Sequence, residues 1–167
     1  MPGHATRVAL RELGRRAQFL DAQLGRLDEL IVPLVTARAP RLLQLYGVGS
    51  DTAATLLIAA GDHPGRLRSE AAWAHLCASA PIPASSGKVT RHRLNRGGDR
   101  QANAALYRVV LCRLRWDPRT RDYMQRRTKE GLSKKEIIRC LKRYTAREIY
   151  HVLINPSPQP HQPRLTA

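Results

Sequence analysis

A chain of 167 residues has room for one domain with a modest core and short appendages. Its three cysteines, Cys77, Cys112 and Cys140, are too few and too scattered for a disulfide framework or a metal knuckle, and no apolar run reaches membrane-spanning length or has the form of a signal peptide. The charge is informative: 29 lysines and arginines against 13 acidic residues give a formal net charge of +16, with most of the cations between Lys88 and Arg147. Such a surface suits nucleic acid, because neutralising phosphates releases counterions and makes binding strongly dependent on salt. The plain alternative is a solvated basic surface. A cytoplasmic, nucleoid-associated protein with no membrane partner is expected.

Along the chain, Leu10, Ala17, Leu24 and Ile31 recur every seven residues, and Leu13, Leu20, Leu27 and Leu34 interleave with them. This a/d spacing predicts a coiled-coil-like helix over residues 1–36, with Pro33 at its end. Gly14 and Gly25 each weaken a helix by about 1 kcal/mol relative to alanine, so packing must hold it. The stripe either pairs with a second copy, making a homo-oligomer, or folds back on its own domain. Next, Arg41 to Leu57 resembles a helix-hairpin-helix motif: Gly47 and Gly49 permit a tight hairpin, and Ser50 or Asp51 is placed to cap the following helix. Its free amides would suit a backbone phosphate without reading bases. A plain helical turn would bury the same leucines at 42, 43, 45, 56 and 57.

A short helix over 69–78, with Trp73 and Leu76 as its larger groups, then leads to the segment Ala80-Pro81-Ile82-Pro83-Ala84-Ser85-Ser86-Gly87-Lys88. His75 and Cys77 lie close in sequence but read as packing, not as zinc ligands. Pro81 and Pro83 fix the approach of the chain, and Gly87 can turn it away with a positive φ, leaving Ser86 held outward. Lys88, Arg91, Arg93, Arg96 and Arg100 follow closely, so this loop reads as a phosphate-handling site. His92 reads as a phosphate contact, not as a base.

Asp99 or Asn95 is placed to cap a helix over about 100–114, with Ala104, Ala105, Val109, Val110 and Leu111 on apolar sides and Arg100, Arg108, Arg113 and Arg115 in water. Asp117-Pro118 opens another helix that Gly131 closes, and Ser133-Lys134-Lys135-Glu136 is a capping box before a long amphipathic helix carrying Ile137, Ile138, Leu141, Tyr144, Ile149, Val152 and Leu153. No strand pattern or internal repeat is visible. The fold class is therefore all-α: an amphipathic helix at 1–36, a compact helical DNA-binding domain at 37–154 and a proline-rich, disordered tail at 155–167.

Gly47-Val48-Gly49 with Ala53-Ala54, the Ala80-Pro81 to Ser86-Gly87 loop, Arg93-Leu94-Asn95-Arg96-Gly97-Gly98-Asp99-Arg100 and Ile138-Arg139-Cys140-Leu141-Lys142-Arg143 together resemble the C-terminal domain of the insertion-sequence transposases of the family numbered 110/116/902. The resemblance covers about residues 10–153 in order and spacing. It implies a second, N-terminal ribonuclease-H-like domain with acidic metal ligands, and a serine nucleophile in the present domain. By position before glycine, Ser86 matches that serine, with Ser85 the weaker candidate. Attack of its oxygen on a DNA phosphate would form a phosphoserine link and release a free hydroxyl. A serine needs a base or a metal-assisted environment for this, and the sequence identifies neither. Gly47, Gly49, Ser50, Lys88, Arg91, Arg93, Arg96 and Arg100 are the expected DNA contacts. No metal site is expected in this chain, Mg2+ being expected only with the N-terminal domain. The chain by itself is expected to bind DNA, and also the element-encoded guide RNA that the resemblance implies, without recombining it. A non-enzymatic helix-hairpin-helix binding protein, a truncated remnant and a dimerisation protein built on the leucine stripe are the competing readings.

Overall fold

The computed structural model describes residues 2–61, 65, 67–85, 87 and 92–155. Among them seven helices and one small hairpin follow in the order α1 (Pro2–Arg38), α2 (Pro40–Leu43), α3 (Ser50–Ala60), α4 (Glu70–Leu76), β1 (Ile82–Pro83), β2 (His92–Arg93), α5 (Arg100–Trp116), α6 (Pro118–Lys129) and α7 (Lys134–Ile154). The all-α expectation holds. The strands are a correction to it, though a slight one: a ladder pairing Ile82 with Arg93 and Pro83 with His92 is too short to leave a period in the sequence.

α5 is the central element, touching α3, α6 and α7. Its buried residues are Ala102, Ala105, Leu106, Val109 and Val110, the i, i+3, i+4, i+7, i+8 set of one helical face. Ala104 and Leu111, expected on that face, point outward instead. Leu42, Leu56, Trp73, Leu106 and Ile149 close the main core, while Val110, Ile137 and Leu141 form a second cluster with Leu114 and Tyr123 beside α6.

Polar caps set three of the helix starts. Asp99 accepts from the Ala102 amide at 2.9 Å, Asp117 from the Thr120 amide at 3.2 Å, and Ser133 and Glu136 close their reciprocal box. Hydrogen bonds from Thr120 hold the Asp117 carboxyl below the usual carboxylate range. The expected cap at Ser50 or Asp51 is corrected: Gly49 is the N-cap, with no side-chain hydrogen bond, and Ser50 is already the first helical residue.

Pro33 does not end α1 either. The helix runs on to Arg38, and the break comes at Ala39 (φ −149), which Pro40 forces out of the helical region. A proline inside a helix removes one donor, and here core packing by Ile31 and Val35 on either side holds the helix through it. N-terminal to that point, Leu10, Leu13, Leu20, Leu24 and Leu27 are each at least 40% exposed. α1 is long, but no helix among the described residues is both long and apolar enough to cross a membrane.

Candidate nucleic-acid site

The serine loop is tied shut at its base. Gly98, at φ +109, lies so close to the end of α4 that a Cβ there would sit 2.6 Å from the carbonyl oxygens of His75 and Leu76. The next amide, Asp99, donates to the Leu76 carbonyl at 2.7 Å. Asn103 then clamps the other leg, donating to the Cys77 and Ala78 carbonyls at 2.8 and 3.1 Å. Ala78 turns with φ +51, and the Asn95 side chain accepts from the Gly97 amide at 3.0 Å. The short ladder of β1 and β2, pairing Ile82 with Arg93 and Pro83 with His92, extends this closure into a stem.

At the tip, Ser85 is exposed, and Gly87 takes φ +61, the conformation that the sequence requires of it. Ser86, Lys88 and Arg91 lie outside the described residues. Arg93, Arg96 and Arg100 are all exposed, as is His92. The described part of this segment thus carries exposed guanidinium groups at 93, 96 and 100 and an exposed hydroxyl at 85.

The hairpin between α2 and α3 is held from the far side by α5. Gly47 has φ +80, and a Cβ there would meet Cys112 Cβ and the Val109 carbonyl at 3.4 Å, which accounts for glycine at this position. Gly49, by contrast, has open space where a side chain would be and an ordinary negative φ. Arg113, expected in water, is instead largely buried: it donates to the Tyr46 carbonyl at 2.8 Å and pairs with Glu148 at 2.7 Å, bolting the hairpin to α7. Asp51 is exposed and pairs with Arg108 at 3.2 Å, which offsets the charge it would turn toward a phosphate.

Cys77 is fully buried, and burial pushes its thiol up to about 12, so it packs and does not react. His75 on the same helix end is exposed and shares no site with it. Among the described residues no three His, Cys, Asp or Glu side chains converge.

Two residues that the sequence analysis did not assign to the site stand beside the stem. Lys142, on α7, is 6% exposed, and its ammonium donates to Asn103 Oδ1 at 3.0 Å with no carboxylate partner among the described residues. Burial, and then the nearby Arg139, lower its pKa. Tyr144, expected in the core, is 54% exposed and meets Tyr123 edge-on, ring centroids 5.8 Å apart. Both line a cleft of about 630 Å³ between the stem and the α6–α7 corner.

The family model described as Transposase IS116/IS110/IS902 family matches residues 39–125, a span that takes in the glycine hairpin, the serine loop, all of α5 and part of α6. The insertion element IS900 uncharacterized 42 kDa protein of Mycobacterium paratuberculosis is 29% identical over 142 residues, which is 83% of this chain and 35% of that protein. The chain thus spans about a third of the length of that relative. With more than half of its length inside the family model, the chain belongs to the Transposase IS116/IS110/IS902 family.

Proposed function

We propose that the chain is the serine-bearing DNA-binding part of a transposase, and that Ser86 is its nucleophile, with Ser85 the weaker candidate. The observation that carries this reading is the stem. A loop with two adjacent hydroxyls, closed at its base by Gly98 and Asn103, stands beside exposed Arg93, Arg96 and Arg100 within the span of the family match. In the step proposed, Ser86 Oγ attacks a DNA phosphorus, an Oγ–P bond forms and one P–O bond to a sugar breaks. The serine proton passes to a base outside the residues named here, and the departing sugar oxygen leaves as a free hydroxyl after taking up a proton. The phosphoserine ester retains the bond energy, so reversal on an exchanged strand needs no outside energy source. Lys88, Arg91, Arg93, Arg96 and Arg100 offset phosphate charge, and the amides around Gly47, Gly49 and Ser50 take a backbone phosphate. Mg2+ belongs to a partner ribonuclease-H-like domain in this scheme, and guide RNA is a second polyanion for the same basic surface. The setting is the bacterial nucleoid.

DNA binding by the chain is expected to weaken steeply with salt, by orders of magnitude between about 50 and 200 mM. Arg96→Ala is expected to reduce the slope of log affinity against log salt by about 1, a loss read from fluorescence anisotropy titrations. Affinity indifferent to salt would contradict the reading.

The leucine stripe of α1 supports a second part of the proposal, a homodimer through that helix. A helix of about 55 Å carrying a row of exposed leucines is stable only against a partner face. Leu20→Glu with Leu27→Glu is expected to convert a dimer to a monomer in sedimentation equilibrium. A wild-type chain that sediments as a monomer at tens of micromolar would remove this part.

A further inference from the structure

The cleft beside the stem has a composition of its own. Arg93 comes from β2, Arg127 from α6, and Arg139, Lys142 and Arg143 from α7, against a single lining carboxylate, Glu136. Several of these cations are already engaged: Arg127 with Glu130, Arg143 with Glu70 at 2.5 Å, and Arg139 with Glu136 at 3.9 Å. Among the described residues, Arg127 Nε and Arg143 Nη1 are nonetheless shut off from solvent with no acceptor, and Lys142 is buried with only an amide oxygen for company. A buried cation without a counter-ion is unfavourable, so the floor of this cleft favours an anion. Its rim is different. Tyr144, buttressed edge-on by Tyr123, lines it together with Leu94 and Leu132.

We propose that this cleft takes one unpaired nucleotide of a bound strand, its base stacked on Tyr144 and its phosphate directed to Lys142. A phosphate alone would leave the aromatic rim unused, and a duplex keeps its base faces stacked inside the helix. An unstacked nucleotide satisfies both halves, and the cleft, at about 630 Å³, has room for one. Arg93, Leu94 and Asn95 form one wall, so the strand held here runs next to the serine loop. The inference rests on the proposed nucleic-acid function and deepens it, by separating a single unpaired nucleotide from the duplex backbone that the exposed arginines hold.

The test uses the full chain and short duplexes with and without a one-nucleotide bulge, read by anisotropy at fixed salt, with a bulge of DNA or of RNA to identify the source. The bulged duplex is expected to bind about tenfold more tightly than the paired one. Tyr144→Ala should remove that preference while Tyr144→Phe retains it. A mononucleotide should compete better than its nucleoside against wild type, and Lys142→Met should erase that difference. Equal affinity for bulged and paired duplexes, or a preference that survives Tyr144→Ala, overturns the inference while salt-dependent duplex binding still upholds the broader function. A chain that binds neither duplex overturns both.

Discussion

Ser86→Ala, in a preparation supplied with a metal-binding partner domain, is expected to lower strand joining by about three orders of magnitude or more, with DNA affinity changed less than about twofold. The asymmetry follows from the chemistry. In the proposed step Ser86 supplies the oxygen that forms the ester to phosphorus, and alanine has none to offer. Binding, by contrast, is spread over many cations, of which Arg93, Arg96 and Arg100 are exposed on or just beyond the stem. Ser85→Ala is the matched control. It occupies the exposed neighbouring position and is expected to retain joining within about tenfold, because the glycine turn at φ +61 follows Ser86, not Ser85. The reverse pattern would transfer the role to Ser85. Retention of joining by both single variants and by the double variant would exclude serine chemistry from this loop.

Gly98→Ala is expected to have the largest effect on stability, about 3 kcal/mol, or roughly 10 °C in Tm, for two reasons that act together. Its φ of +109 is open to glycine and strained for any other residue. The added Cβ would also sit 2.6 Å from two backbone carbonyl oxygens and 3.0 Å from the Ala78 nitrogen, none of which can rotate aside as a side-chain tip would. Relief requires the chain to back away from α4, which breaks the bond from the Asp99 amide to the Leu76 carbonyl and loosens the base of the serine loop. Joining should therefore fall along with Tm. Gly97→Ala is the contrast, since a Cβ there meets only Asn95 Oδ1 at 3.6 Å, and its Tm should stay within a few degrees of wild type. Differential scanning calorimetry separates the two. A Gly98→Ala protein that melts like wild type would show that the stem is not closed as described.

The sequence was most legible where local chemistry decides structure. Asp99, Asp117 and the Ser133/Glu136 pair cap helices because a short acceptor before a helix satisfies its free amides whatever the tertiary context. Positions governed by a neighbour were read less well. Pro33 resembles a helix end, but Ile31 and Val35 hold it in the core, and Pro40 makes the break through the residue before it. Ser50 and Asp51 resemble caps, yet the chain enters α3 one residue earlier, at Gly49. Arg113, Lys142 and Tyr144 depart from what helical spacing implies for one shared reason. Helical spacing tells which face a residue occupies, but not that a carbonyl, an amide or a second ring waits opposite it. Arg113 meets Tyr46 across 67 residues, and Lys142 meets Asn103 across 39. Of the candidate site, the glycine turn and the row of arginines could be read directly. The cleft could not, because its walls come from a hairpin and two helices far apart in the chain.

The most direct measurement is to trap the covalent protein–DNA adduct from a reconstituted joining reaction, digest both components, and locate the nucleotide-bearing residue by mass spectrometry. A phosphate ester on the serine at position 86 is the expected result. An adduct on any other side chain, or complete strand joining with no protein-linked phosphate at any time, would contradict the account.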